Sequence, residues 1–538
     1  MTNVPPSQTA HLIDRTRQHT VGDLLRRTAA RYPNKSALIA GDVRMSYQEF
    51  DGAVNRTAHA LISRGVTRGD RLALLSHNSL QYVILAFAAA KLGVVLVPIN
   101  FMLNAIETAY ILDHSGASAL VAEDTLVPVA EQAIAIAGMH GVRGCIGQAG
   151  NGWENVDDWW TSGCTADLDV VVGDDDPLRL MYTSGTESRP KGVMLTSRSL
   201  IAQYSSCAID GEASPDDIEI HAMPLYHCAQ LDCFLSVDVH VGATNVILRA
   251  PEPVAILSAI AGEKATKLFC PPTVWISLLR QPDLGRWDLS TLTKGYYGAS
   301  PMPVQVLQEL MTTLPGVRWW NFYGQTEMAP VATILRPDEQ LSHAGSAGRA
   351  AINVQTLVVD EDDRPVPPGV VGEIVHRSPH AGLGYYRDEQ ATAHAYRNGW
   401  LHSGDLGVLD EQGYLTVVDR KKDVIKTGGE NVASREVEEA IYRLEGVAEV
   451  AVFGIPDPRW IEAVTAVVVT TPGANITPDA IHRHSRQHLA GYKCPKHIVF
   501  AAALPKSPSG KVLKRELRLQ YGALATTRPQ HWQPSGHP

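Results

Sequence analysis

Between Val21 and Ile99 the chain alternates helical and strand-like runs, and this alternation constrains the fold more than any other feature. "VGDLLRRTAARYP" carries apolar residues at helical spacing and stops at Pro33. "KSALIAGDVRMSYQEF" reads as two short strands around a Gly-Asp turn. "DGAVNRTAHALISRGV" is an amphipathic helix ending in glycine, and "DRLALLS" is a buried strand. The apolar stretch "YVILAFAAAKLGVVLVPI" from Tyr82 is divided by Lys91 and Gly93, so a buried helix followed by a strand is expected, and no membrane span. Strands and helices alternating at this spacing predict an α/β fold with parallel sheet.

A chain of 538 residues exceeds one ordinary core, so more than one domain is expected. "DEDDRPVPPGVVGEIVHRS" (360–378) reads as antiparallel hairpins with Pro-Gly turns, a β-rich subdomain. "SREVEEAIYRLEGVAEVAVFGIPD" (434–457) is a helix, a strand and a turn, as in a small α+β unit. We place a flexible tail at 1–18, a large domain at 19–421, a small C-terminal domain at 422–525 and a second flexible tail at 526–538.

A formal charge of −10 argues against a nucleic-acid partner. Seven cysteines without a C-x-x-C pair fit reduced thiols, and together with the absence of a signal-like opening they predict a cytoplasmic protein. His484 and His488, at i and i+4 in "IHRHSRQH", lack an acidic third ligand nearby and read as a solvated helix face.

"TSGTESRPKG" (183–192) gathers hydroxyls, a glycine and two cations after a strand-like run. It is not a P-loop, because Pro190 replaces the second glycine and Gly192 the metal-binding hydroxyl. It is a phosphate loop of another design or a polar turn. "WNFYGQTEMAP" (320–330) offers Tyr323 to stack on a base, Thr326 for a phosphate and Glu327 for Mg²⁺. "GWLHSGDLGVLDEQGYL" (399–415) sets Asp405 in a Gly-flanked turn, where a carboxylate could accept two ribose hydroxyls. Lys511 follows a Pro/Ser/Gly turn that could aim one ammonium at a ligand. Each also has a structural alternative: Asp405 capping a turn, Lys511 in a solvated charge run, Glu327 opening a helix.

Together, "YTSGTESRPKG", "NFYGQTE", "WLHSGDLG", "DRKKDVIKTGGENV" and "PKSPSGK" resemble, in order and spacing, the motifs of the adenylate-forming superfamily. Acyl-CoA synthetases, peptide-synthetase adenylation domains and beetle luciferases form that group. The similarity runs from about residue 20 to 525 and is strongest to bacterial fatty-acyl and medium-chain acyl-CoA synthetases.

The resemblance implies an α/β large domain, a mobile C-terminal lid and an ATP-dependent activation of a carboxylic acid. An acyl-adenylate forms first, and transfer to CoA then gives acyl-CoA, AMP and pyrophosphate. An amine or carrier-protein thiol as acceptor is the alternative, and a homodimer remains open. By the resemblance, Thr183, Ser184, Gly185, Thr186 and Lys191 hold ATP phosphates, and Gly298, Ala299 and Ser300 line adenine and the acyl group. Tyr323, Gly324 and Gln325 flank adenine, Thr326 contacts the α-phosphate, and Thr186 and Glu327 serve Mg²⁺. Asp405 and Arg420 hold ribose, His227 adjoins the substrate carboxylate, and Lys511 bridges carboxylate and α-phosphate. Lys422 is the hinge, while Lys426, Gly428 and Gly429 form the CoA-side loop.

Three positions depart from the pattern. Glu187 and Ser188 replace the usual Thr and Gly of the phosphate loop, and Ala299 replaces a common glycine. The acyl pocket is expected to be lined by "CAQLDCFLSV" after His227, with Tyr297 and Ala299 opposite. Asp232 within it is expected to face solvent at a helix edge, the alternative being contact with a polar substituent.

Overall fold

The computed structural model describes residues 6–183, 190–421, 423–427, 430–522 and 524. Among these residues the strands form four sheets. The first runs, in spatial order, Glu154–Asn155, Val142–Ile146, Ala119–Glu123, Arg71–Leu75, Val95–Ile99, Pro177–Thr183 and Lys191–Thr196. All its pairings are parallel except the last, an antiparallel hairpin. A second sheet of nine strands carries Ile218–His221, Lys267–Phe269, Lys294–Gly298 and Arg318–Tyr323 as parallel neighbours at its centre.

The helix Leu80–Leu92 is buried along nearly its whole length, which is why it shows no polar face. It ends at Gly93, whose φ of +71° is the left-handed cap that glycine adopts without a Cβ penalty. Lys91 lies inside, where its ammonium donates to Asp51 (2.6 Å) and Asn55 (2.7 Å). Those partners offset the cost of burying a charge. Strand Val95–Ile99 follows, as the break at Lys91 and Gly93 predicts.

The region 355–420 is an antiparallel sheet built on Gln355–Val359, Gly372–Arg377, Trp400–Leu409 and Leu415–Arg420. The next sheet begins at Ile425 and is packed on one side by helices Ser434–Tyr442 and Pro478–His488. His484 Nε2 donates to the Ala440 carbonyl (3.0 Å) and His488 Nδ1 to the His484 carbonyl of its own helix (2.9 Å), so both rings have structural partners.

Residues 6–17, read above as part of a tail, form a helix instead. Arg15 and Arg17 lie in its last turn, where cations suit the dipole, and Arg15 pairs with Asp169 of the large domain. The anchor lies 154 residues away, beyond the reach of local pattern.

Candidate active site

The nine-stranded sheet delivers two neighbouring strand ends, Gly298 and Tyr323. Gly298 lies opposite Phe322, and a Cβ there would stand 2.3 Å from the Phe322 carbonyl, so only glycine allows this pairing. Ala299 follows at φ +62°, a left-handed conformation that a Cβ strains, and Ser300 is half-buried beside it. After Tyr323 the chain passes through Gly324 and Gln325 into a single 3₁₀ turn, Thr326–Met328. Strand Trp400–Leu409 brings Asp405 opposite Arg420 in register. The Tyr323 hydroxyl donates to Asp405 Oδ2 (2.7 Å), and Arg420 Nε lies 3.5 Å from Oδ1. Burial and the Asp405 charge hold the Tyr323 phenol well above its ordinary range, so it remains a donor.

His227 precedes a π-helical turn, Ala229–Leu235. Its Nδ1 accepts the Ala229 N–H (3.1 Å), which places the ring proton on Nε2. Burial, and then the Lys511 ammonium, push the imidazole down to about 3, so it is neutral at pH 7. Next to it, Cys228 Sγ lies 3.4 Å from Thr326 Oγ1.

Lys511 reaches this cluster from a tight loop in which Gly510 N–H donates to Ser507 O (2.8 Å) and Ser507 N–H to Lys511 O (2.8 Å). The Thr273 hydroxyl donates to Gly510 O (3.3 Å), docking the loop on the large domain. Burial and then Arg420 lower the Lys511 ammonium, while Cys228, Asp405 and Glu327 oppose that shift. The structure thus brings together Lys511, His227, Thr326, Glu327, Asp405, Arg420 and Tyr323.

Thr183 and Lys191 face each other as the last paired residues of their hairpin. Ser184, Gly185 and Thr186 lie outside the described residues, as do Lys422, Gly428 and Gly429. Lys426 is exposed on strand Ile425–Thr427, with its amide held by Glu462 (2.7 Å), and makes no contact with the Lys511 cluster among the described residues.

Two pocket expectations are corrected. Asp232 is fully buried: Tyr204 donates to its Oδ1 (2.9 Å), and the equally buried Arg179 lies 3.7 Å away. It therefore reads no solvent. Tyr297 does not face the segment after His227; it donates to Gln340 (2.6 Å) and packs in the opposite core layer with Trp275 and Trp319. Tyr296 faces that segment instead, its ring 5.4 Å from Phe234, because neighbouring strand residues point to opposite faces.

A residue missed by sequence reading is Tyr385. Its hydroxyl donates to Glu327 Oε1 (2.8 Å), and Lys191 Nζ stands 4.9 Å from its ring centroid. The Gly-flanked "GLGYY" (382–386) was the signal available for it.

Known proteins share this sequence pattern and fold. The AMP-binding enzyme family matches residues 25–386, and the AMP-binding enzyme C-terminal domain matches 436–511. A feruloyl-CoA synthase from Amycolatopsis sp is 36% identical over 92% of this chain and 98% of its own length. The long-chain-fatty-acid–CoA ligase FadD13 of Mycobacterium tuberculosis is 34% identical over 94% of this chain and 99% of its own. The crystal structure of the anthranilate CoA ligase AuaEII with anthranoyl-AMP superposes with a TM-score of 0.89 at 26% identity, covering 94% of this chain and 98% of that one. The chain belongs to the AMP-binding, adenylate-forming enzymes, and within them it is an AMP-forming acyl-CoA synthetase.

Proposed function

We propose that the enzyme activates a carboxylic acid with an apolar alkyl or aryl body, and that Lys511, Thr326 and His227 carry the first half-reaction. A carboxylate is a poor electrophile because oxide would have to leave. Its oxygen attacks the α-phosphorus of ATP, the bond to the β-phosphate oxygen breaks, and pyrophosphate departs. Negative charge gathers on the α-phosphate, where the Lys511 ammonium and the Thr326 hydroxyl are assigned to stabilise it. The neutral His227, with its proton on Nε2, is assigned as donor to the acid's carboxylate. A CoA thiolate then attacks the carbonyl of the acyl-adenylate, and AMP leaves.

The observation that carries this reading is the placement of the half-buried Lys511 ammonium among Cys228, Asp405, Glu327 and Arg420. Tyr323, Asp405 and Arg420 suit an adenosine moiety, with Asp405 assigned to the ribose hydroxyls. Lys191 and Thr183 are assigned to the outer phosphates, at the mouth of their hairpin. Glu327 suits Mg²⁺: one carboxylate oxygen is held by Tyr385, and the other makes no hydrogen bond among the described residues. Mg²⁺ bound there would neutralise phosphate charge. We assign residues 422–525 as the moving lid, with Lys422 as hinge and Lys426 on the CoA side.

The apolar substrate body is supported by Cys228, Leu231 and Cys233 on the turn after His227, while its one charge, Asp232, is committed to Arg179 and Tyr204. The seven free thiols suit a reducing compartment, and the cytoplasm is the proposed location. No helix among the described residues is long and apolar enough to cross a membrane. The test is purified protein with Mg-ATP and a panel of straight-chain, branched and aromatic acids, following pyrophosphate release and product mass with and without CoA. Acyl-CoA and AMP formed only in the presence of CoA support the reading. Acyl-AMP that never becomes a thioester would overturn the second step.

A further inference from the structure

The segment 382–386 is a brace between the two parts of the site that handle phosphate. Leu383 N–H donates to Met194 O (2.9 Å), Met194 N–H to Gly384 O (3.0 Å) and Tyr386 N–H to Gly192 O (2.8 Å). These bonds lay the segment antiparallel along strand Lys191–Thr196, with Tyr385 opposite Val193. At its other end Gly382 N–H donates to the Glu327 carbonyl (2.9 Å). A Cβ on Gly382 would stand 2.5 Å from Met194 O, and Gly384 holds φ +99° with Thr392 2.4 Å from where its Cβ would be. Both glycines are therefore required by the close approach.

Tyr385 is the side chain this brace presents to the site. Its hydroxyl holds one oxygen of Glu327, and its ring face carries the Lys191 ammonium. A phenol donating to a carboxylate is a charge-assisted bond, which fixes the carboxylate's rotamer. An ammonium over a phenol ring is held by the ring's negative face without losing its charge. Among the described residues, Lys191 and Glu327 form no ion pair with each other, and each instead contacts Tyr385.

We propose that Tyr385 is a positioning residue for phosphate handling: it presets the Glu327 carboxylate for a divalent cation and the Lys191 ammonium for the outer phosphates of ATP. The inference rests on the adenylation reading above and extends it to a residue that touches neither reacting atom. The hydroxyl serves the cation side and the ring serves the lysine side, so two substitutions separate the two tasks. Tyr385→Phe removes only the hydroxyl, and Tyr385→Leu removes the ring as well.

The experiment is calorimetric titration of ATP into the full-length protein, first in EDTA and then across a Mg²⁺ series. For Tyr385→Phe, ATP affinity in EDTA stays within about twofold of the parent, while the Mg²⁺ concentration giving half of the affinity gain rises about tenfold. For Tyr385→Leu, affinity in EDTA also falls, by about fivefold. A purely structural role would lower the melting temperature without moving the Mg²⁺ midpoint. Should Tyr385→Leu fail to fold, Tyr385→Phe alone decides the matter. A Tyr385→Phe protein with the parent's Mg²⁺ midpoint would overturn the role of Tyr385. A parent that binds no ATP in either condition would overturn the adenylation reading itself, and this inference with it.

Discussion

Arg435, the second residue of the helix Ser434–Tyr442 in the C-terminal domain, donates from Nη2 to the backbone carbonyl of Gly345 over 3.1 Å, and from Nη1 to that of Val417. Both carbonyls precede the proposed hinge in sequence, so one half-buried guanidinium ties the C-terminal unit to the large domain in the arrangement that delivers Lys511. Beside it, the Ser434 N–H donates to Asp419 Oδ2 (2.6 Å). If the C-terminal unit rotates as proposed, this contact would have to be released.

Arg435→Met should therefore separate the half-reactions. Bonds from a charged donor contribute about 1.5–3 kcal/mol each. Loss of part of that should slow single-turnover acyl-adenylate formation by about tenfold. Thioester formation from premade acyl-adenylate should stay within about twofold of the parent. Equal slowing of both would show that Arg435 supports folding and does not bias the lid.

Ala299 inverts the usual rule for alanine and glycine. At φ +62° its Cβ is strained, so Ala299→Gly should leave stability unchanged or raise it by up to about 1 kcal/mol. In a helix the same exchange costs about 1 kcal/mol. Urea unfolding of the two proteins, followed by fluorescence, checks the sign.

Asp232→Ala should destabilise by about 3–5 kcal/mol, because it leaves the buried Arg179 without its counter-charge. Arg179→Met in the same chain should restore part of the loss. A solvent-facing aspartate would cost less than about 0.5 kcal/mol. The midpoint of chemical unfolding distinguishes the two cases.

Acid should weaken the fold through buried neutral histidines. Burial pushes His221 down to about 4 and His376 down to about 3. The unfolded chain binds these protons near pH 6.5, so the stability they contribute is fully present above that value. It falls away as pH drops toward the folded values, by on the order of 2 kcal/mol per ring at pH 5. His221 has no spare acceptor to absorb a proton, since Gln230 Nε2 meets Nδ1 at 2.7 Å and Asn245 Oδ1 meets Nε2 at 2.9 Å. Melting temperatures between pH 7.5 and 5 should decline, and His376→Gln should decline less steeply than the parent.

What could be read ahead of the structure was set by local pattern. The helix and strand around Lys91 and Gly93, the Gly-Asp hairpin and the antiparallel region after Asp360 follow from periodicity and turn chemistry within a few residues. The gathering of Tyr323, Asp405 and Lys511 was legible only because several motifs recur together in one family. Long-range partners were not legible. Asp232 looked like an edge carboxylate because Arg179 comes from a strand 53 residues earlier in the chain. Tyr385 finds Glu327 58 residues away. Tyr297 was placed on the wrong side by one residue, and in a strand one residue changes the face.

The most direct test of the account is Lys511→Ala, assayed in both half-reactions. Pyrophosphate release from Mg-ATP and acid should fall by about a thousandfold, the scale of losing a charge stabiliser at the transition state. CoA supplied with premade acyl-adenylate should still yield thioester at close to the parent rate. If both half-reactions fell together, or adenylation survived, the assignment of Lys511 to the first step would be wrong.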